Sequence, residues 1–324
     1  MNRALLATPR STRQRVVHAL LELWRRLRPP VFSPGMGPVD LNFCVHAEAV
    51  AQETTFEALL ALVGWFRRTA GVRAVVGVTT PRCPQTARLM ATVGTEETTF
   101  AGRVKRIADE ADLAYHGHFF DTISVDDRAM VAERERFSAG PMRALWEPDL
   151  VPIGPRTLLG REAVVRAQML EELAWFAEKG FKVTAYTAGW WFLPPVVVKT
   201  LEANGVVIDC SLRFDGRNTF GGTTLAQPPP PGLPVRVPPA THLVSLPNLV
   251  GATVSPLRVV PKMTALAQLA HHAPRVGLLH FHDYDLPAFR REVEAHVSCW
   301  SSYPDVFRWM PLEAMAAQEP EAVW

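Results

Sequence analysis

The sequence predicts an α/β fold, a single barrel of alternating strands and helices, on three observations. From Val39 onward, short apolar runs alternate with longer helical patterns. Glycine directly follows two of the helical patterns, at Lys179-Gly180 and Asn204-Gly205, where a left-handed cap residue ends a helix, and a strand pattern comes next each time. Histidines and carboxylates gather at the ends of strand patterns, where the loops of a parallel barrel converge on its axis.

The chain begins with a basic stretch. Val16, Val17, Leu20, Leu21, Leu23, Trp24 and Leu27 fall at helical spacing, with Arg13, Arg15, Arg25, Arg26 and Arg28 around them. Such a helix suits either packing across the base of the domain or peripheral contact with an anionic membrane surface. Pro29 and Pro30 end it. Residues 1–38 therefore read as an N-terminal amphipathic helix and linker, and residues 39–324 as the barrel domain.

The strands expected in the barrel are Val39–Glu48, Arg73–Thr80, Leu113–Phe119, Lys182–Gly189, Val206–Leu212, Thr241–Pro247 and Val276–His282. Helical patterns cover Phe56–Thr69, Phe100–Asp112, Arg161–Lys179, Pro195–Asn204 and Met263–His272. An open doubly wound sheet is the competing topology, but no Gly-x-Gly-x-x-Gly turn follows the first strand, as a dinucleotide site would require. Two connections, Asp121 to Leu159 and Asp215 to Ala240, are long enough to be lids or binding loops near a substrate. The second holds Pro228-Pro229-Pro230-Pro231, which equally suits a stiff surface loop.

Composition narrows the function. With 34 basic and 32 acidic residues the chain has no charge field for nucleic acid. Cys44, Cys83, Cys210 and Cys299 are scattered without a C-x-x-C pair, so neither a zinc knuckle nor a disulfide framework is expected, and a reducing cytoplasm fits. No signal-peptide pattern and no membrane-spanning run is expected. Oligomeric state is not encoded in any pattern.

The chemistry concentrates at three strand ends. Cys44, His46 and Glu48 alternate along the first strand, His116 and His118 along the third, and His280 and His282 along the last, so each set shares one face. Neutral imidazoles with a carboxylate are the ligand set of zinc or a similar divalent ion, which activates water and polarises a carbonyl. Asp283 and Asp285 follow the last histidine, and Asp285 equally suits the N-cap of a helix from Ala288.

The motifs resemble those of the polysaccharide deacetylase (NodB-homology) superfamily. Leu41-Asn42-Phe43-Cys44-Val45-His46-Ala47-Glu48 is similar to its first motif, and Leu113-Ala114-Tyr115-His116-Gly117-His118 to its second. Thr187-Ala188-Gly189-Trp190-Trp191 followed by Ile208-Asp209-Cys210-Ser211 resembles the stretch in which a Gly-Trp turn leads through a helix to an Asp-Ser-Ser strand. His280-Phe281-His282-Asp283-Tyr284-Asp285-Leu286 resembles the closing motif whose His assists the leaving group.

The resemblance implies a distorted (β/α)7 barrel of the glycoside hydrolase and deacetylase type, and a metal-dependent hydrolase that removes an acyl group, N-acetyl above all, from an amino-sugar-like substrate. The metal, zinc by expectation, would be held by Glu48, His116 and His118. His46 would act as base and His282 as acid, with Trp190, Trp191, Asp283 and Asp285 contacting a saccharide or other small molecule. The chain departs from the pattern where the usual catalytic Asp is replaced near Cys44 or His46, where the second metal His falls on Phe120, and where the motif Arg falls on Thr187. These departures keep two alternatives open, a non-catalytic saccharide-binding or complex-forming barrel and a glycoside hydrolase using Glu48 with Asp283 or Asp285.

Overall fold

Seven parallel strands close on themselves in the computed structural model, which describes residues 36–122, 130–132, 150–213, 219–220, 223–224, 231–249, 256–270 and 275–318. The strands are β1 (Val39–Ala47), β2 (Val75–Val78), β3 (Asp112–Gly117), β4 (Ala185–Ala188), β5 (Ile208–Arg213), β6 (Val244–Leu249) and β7 (Arg275–His282). Each pairs with the next, and β7 pairs with β1 over eight residue steps from Val39–Arg275 to His46–His282. A further parallel strand, β8 (Phe307–Trp309), joins the lower end of β1. The expected barrel and its seven strands are thus present.

Around them lie α1 (Glu53–Ala70), α2 (Pro84–Val93), α3 (Glu97–Glu110), α4 (Glu162–Glu178), α5 (Pro195–Ala203), α6 (Pro256–Leu269), α7 (Leu286–Ser301) and α8 (Leu312–Ala316). Gly180 and Gly205 both take positive φ, 73° and 76°, as the caps after α4 and α5 require.

Strand alternation sorts the apolar side chains into two layers. Leu41, Phe43 and Val45 point outward and pack against the helices, Phe43 meeting Phe66 of α1 with ring centroids 4.2 Å apart. Cys44, Val75, Ala114, Ala185, Ile208, Cys210, Leu246, Val276 and Leu278 point inward and fill the barrel, with Leu312 and Met315 of α8 closing its base. The same alternation carries His46, one pleat above Cys44, to the top of the interior. It does likewise for His116 above Ala114 and His280 above Leu278.

Several boundaries differ from the sequence expectation for identifiable reasons. The sixth strand starts at Val244 rather than Thr241, because the Glu202 carboxylate of α5 accepts the backbone N–H groups of Thr241, His242 and Leu243. Helix α2 was not anticipated, although Pro84 at its first turn is a helix-start signal. The expected N-terminal helix and the prolines from Pro228 to Pro230 lie outside the described residues. Of the two long connections, the first contributes an antiparallel pair, Phe120–Thr122 with Leu150–Pro152, and the second a pair of Thr219–Phe220 with Thr223–Thr224. No helix among the described residues is long and apolar enough to cross a membrane.

Candidate active site

Register brings the strand-end histidines together. His46 stands level with His282 across the β1–β7 pair, and Cys44 level with His280. On the other side His46 faces Gly77 of β2, and His116 of β3 faces Thr187 of β4. A Cβ at Gly77 would collide with the Thr187 hydroxyl, so glycine there leaves room for Thr187 to reach His116. A Cβ at Gly189 would come within 2.7 Å of His118 Nδ1, so that glycine admits the His118 ring.

Glu48, buried just beyond β1, is the one carboxylate at the centre of this group. Asp283 holds its backbone: Oδ1 accepts the Glu48 N–H at 3.1 Å and Oδ2 the Ala49 N–H at 2.8 Å. Gln85, from the first turn of α2, donates to Glu48 Oε2 at 3.0 Å. The other oxygen, Oε1, lies 3.5 Å from His116 Nε2, 3.6 Å from His118 Nε2 and 3.8 Å from His282 Nε2. The Nε2 atoms of His116 and His118 are 2.9 Å apart.

The protonation pattern follows from these contacts. His116 Nδ1 lies 2.9 Å from the Thr187 carbonyl and 2.8 Å from its hydroxyl. A carbonyl only accepts, so Nδ1 carries the hydrogen and Nε2 presents a lone pair to the centre. Burial alone would raise the Glu48 carboxyl, but His118 and His116 outweigh it and hold the group well below its usual range. Burial, then the neighbouring imidazoles, lowers His46 and His280 well below the ordinary histidine value. Burial and then His118 lower His116, and burial brings His282 down to about 4. His46, His116, His280 and His282 are therefore neutral at neutral pH around the Glu48 carboxylate.

The opposite wall is built from aromatic rings. His46 packs on His280 with centroids 4.0 Å apart and on His116 at 4.2 Å. His282 stacks on Tyr284 at 4.8 Å. Trp190 meets His118 edge-on at 4.4 Å, and Trp191 meets His280 at 5.1 Å. Both tryptophans are partly exposed and sit at positive φ, 52° and 61°. That region costs a bulky L-residue about 1–3 kcal/mol, a strain that recurs where side chains are held for function.

These residues fit a divalent metal ion by two tests. Tetrahedral zinc, with bonds of about 2.0–2.2 Å, spaces its ligand atoms roughly 3.3–3.6 Å apart. The separations from Glu48 Oε1 to His116 Nε2 and His118 Nε2, 3.5 and 3.6 Å, match that spacing, whereas the two nitrogens stand at hydrogen-bond distance, 2.9 Å, and would move apart around an ion. The hydrogen bond from His116 Nδ1 to Thr187 fixes the tautomer a ligating histidine needs. His46, Glu48 and His116 form another possible ligand group, and His46, His280 and His282 a third, the donor atoms of each lying within 4.8 Å of one another.

The structure thus gathers His46, Glu48, His116, His118, His282, Trp190 and Trp191 at one barrel mouth. Asp283 belongs elsewhere: it is fully buried with both oxygens on backbone N–H groups, and so faces the protein rather than a substrate. Asp285 stays half-buried beside the mouth, and burial, then Glu48, raises its carboxyl to about 6. Phe120, where a second metal His would fall, is buried with its ring 5.7 Å from Trp190. Gln85 and the role of Thr187 were not anticipated; Pro84, a helix-start residue directly after a strand-end loop, was the available signal for Gln85.

No family model matches the sequence, and no curated protein matches it. Solved structures do resemble the fold. A protein of Mycobacterium smegmatis assigned as a polysaccharide deacetylase is 14% identical, with 92% of this chain and 97% of that one covered and a TM-score of 0.48. A Pseudomonas aeruginosa PAO1 protein assigned likewise is 13% identical, with 90% and 94% covered and a TM-score of 0.48. A 4-alpha-glucanotransferase of Thermococcus litoralis is 12% identical, with 89% of this chain and 42% of that one covered and a TM-score of 0.47.

Proposed function

We propose that the chain is a metal-dependent hydrolase that removes an acyl group, N-acetyl in the first instance, from an amino-sugar-like substrate. One observation supports this above the others. The Nε2 atoms of His116 and His118 converge on Glu48 Oε1 at 3.5 and 3.6 Å, with His46 buried against His116. Zinc suits the two nitrogens and one carboxylate oxygen, and when bound it would polarise the acyl carbonyl and acidify the attacking water.

The remaining work falls to the chain. Glu48 would neutralise part of the ion's charge, and Gln85 and Asp283 keep its carboxylate turned toward the histidines. His46, neutral and beside His116, accepts a proton from water as the water oxygen bonds to the acyl carbon. The proton taken up by His46 passes by way of His282, whose ring lies 5.2 Å from that of His46 and across from Glu48, to the amine nitrogen as the C–N bond breaks, giving a carboxylic acid and an amine and leaving both imidazoles neutral. Trp190 and Trp191 offer flat apolar faces with polar N–H edges, which suit a pyranose ring, and Asp285 at the rim suits its hydroxyls. A glycoside hydrolase would need two carboxylates facing the bond; Asp283 commits both of its oxygens to the backbone, which leaves Asp285 as the partner Glu48 would need for that chemistry.

Acetate release from an N-acetylglucosamine oligomer tests the proposal. Release should stop on treatment with a chelator and return on adding zinc. Release that persists through chelation, or none with zinc, cobalt or nickel, would overturn it.

A further inference from the structure

Beside the proposed metal position stands a second group of nitrogen ligands. His46, His280 and His282 each offer one ring nitrogen, and these atoms lie within 4.8 Å of one another. His46 and His280 are each 3% exposed, and the Nε2 atom of both is buried with no hydrogen-bond partner among the described residues. Leaving a buried polar nitrogen unpaired costs about 1–3 kcal/mol. Two such atoms on rings 4.0 Å apart call for one shared partner. Trp191 closes over the pair, 5.8 Å from His46 and 5.1 Å from His280.

The donor set defines that partner's chemistry. Three imidazoles without a carboxylate bind a borderline transition-metal ion such as zinc and reject magnesium or calcium, which need oxygen ligands. The carboxylate that stabilises the first position, Glu48, reaches this group only through its 3.8 Å approach to His282. An ion here would keep its full charge, so its affinity is the weaker of the two.

We propose that His46, His280 and His282 form a second, weaker transition-metal position whose filling inhibits the enzyme. A lone pair engaged by an ion accepts no proton, so filling it removes the imidazoles that move protons. The inhibitory half rests on the hydrolase function proposed above; the binding half does not.

The experiment is an equilibrium zinc titration of the full chain, wild type beside His280→Phe and His280→Gln, with acetate release followed on the same samples. The wild type should bind two zinc ions, the second at least about tenfold more weakly, in line with a lost charged ligand. Its activity should rise with the first ion and fall as the second fills, while magnesium causes no fall. Both His280 variants should bind one tight ion, and their activity should stay level at excess zinc. His116→Ala should lose the tight ion and keep the weak one. A single zinc in the wild type, or two in both His280 variants, would overturn the second position. Two ions without inhibition would overturn its inhibitory role. No zinc at all in the wild type would overturn the hydrolase proposal as well.

Discussion

The two walls of the barrel mouth use the same side chain for opposite ends. On the β3 wall, His116 is fixed through Nδ1 by Thr187, and its Nε2 faces a carboxylate that Gln85 and Asp283 hold in place. On the β1 and β7 wall, His46 and His280 are as deeply buried, yet their Nε2 atoms have no hydrogen-bond partner among the described residues. An imidazole braced as His116 is behaves as a permanent ligand, while His118, whose buried Nδ1 has no hydrogen-bond partner among the described residues, is held in place by Glu48 and His116. Imidazoles held only by packing remain available to take a proton or a second ion.

That contrast can be broken from either side. The largest effect is expected from His116→Ala, which removes a braced ligand. Metal activation contributes several kcal/mol, so kcat/KM should fall on the order of 10³-fold or more. A fall of less than tenfold would show that the braced wall is not the metal's support. His46→Phe keeps an aromatic ring of similar size on the packed wall while deleting the base. It should lower kcat by about 10²–10⁴-fold with tight zinc retained, and loss of the zinc together with the rate would place His46 among the ligands instead.

Smaller changes sharpen the picture. Asp283→Ala strips the acceptor from two backbone donors, at about 1–3 kcal/mol for each N–H left buried and unpaired. Chemical denaturation should show that loss, and the conservative Asp283→Asn should recover part of it. Thr187→Val deletes the hydroxyl on His116 but leaves the carbonyl, so zinc affinity should fall about tenfold, the lower end for a group supporting a ligand. Unchanged affinity would mean that the carbonyl alone orients the ring.

Outside the mouth, Glu172 of α4 accepts from Thr80 and Tyr115 and, through burial, its carboxyl is pushed up to about 8. The folded chain then holds a proton that the unfolded chain gives up near its ordinary value of 4.5. The stability linked to that proton is complete below pH 4.5 and is lost as pH rises to about 8, by at most about 1.4 kcal/mol per pH unit. Glu172→Gln should abolish that slope in melting temperature against pH. An identical slope in the variant would contradict the assignment.

Most of the barrel was legible because strand alternation and helix caps are local signals. Cys44, Ala114 and Leu278 mark the inward face, and the histidines follow on the same face one pleat later. The support around Glu48 was less legible because it comes from distant segments. Gln85 arrives from a short helix that belongs to none of the strand-end motifs, and Asp283 turns inward only once β1 and β7 pair. Thr187 reads as a lost arginine until register places it opposite His116. Gly77 shows its purpose only through the threonine hydroxyl that a side chain there would strike.

The central claim is that Glu48, with His116 and His118, holds a metal ion. Zinc bound per chain, measured at free zinc too low to fill a weaker position, tests it most directly when wild type is compared with Glu48→Gln. One tight ion in the wild type and none in the variant is the predicted result. The same tight ion in both, or none in either, would contradict it.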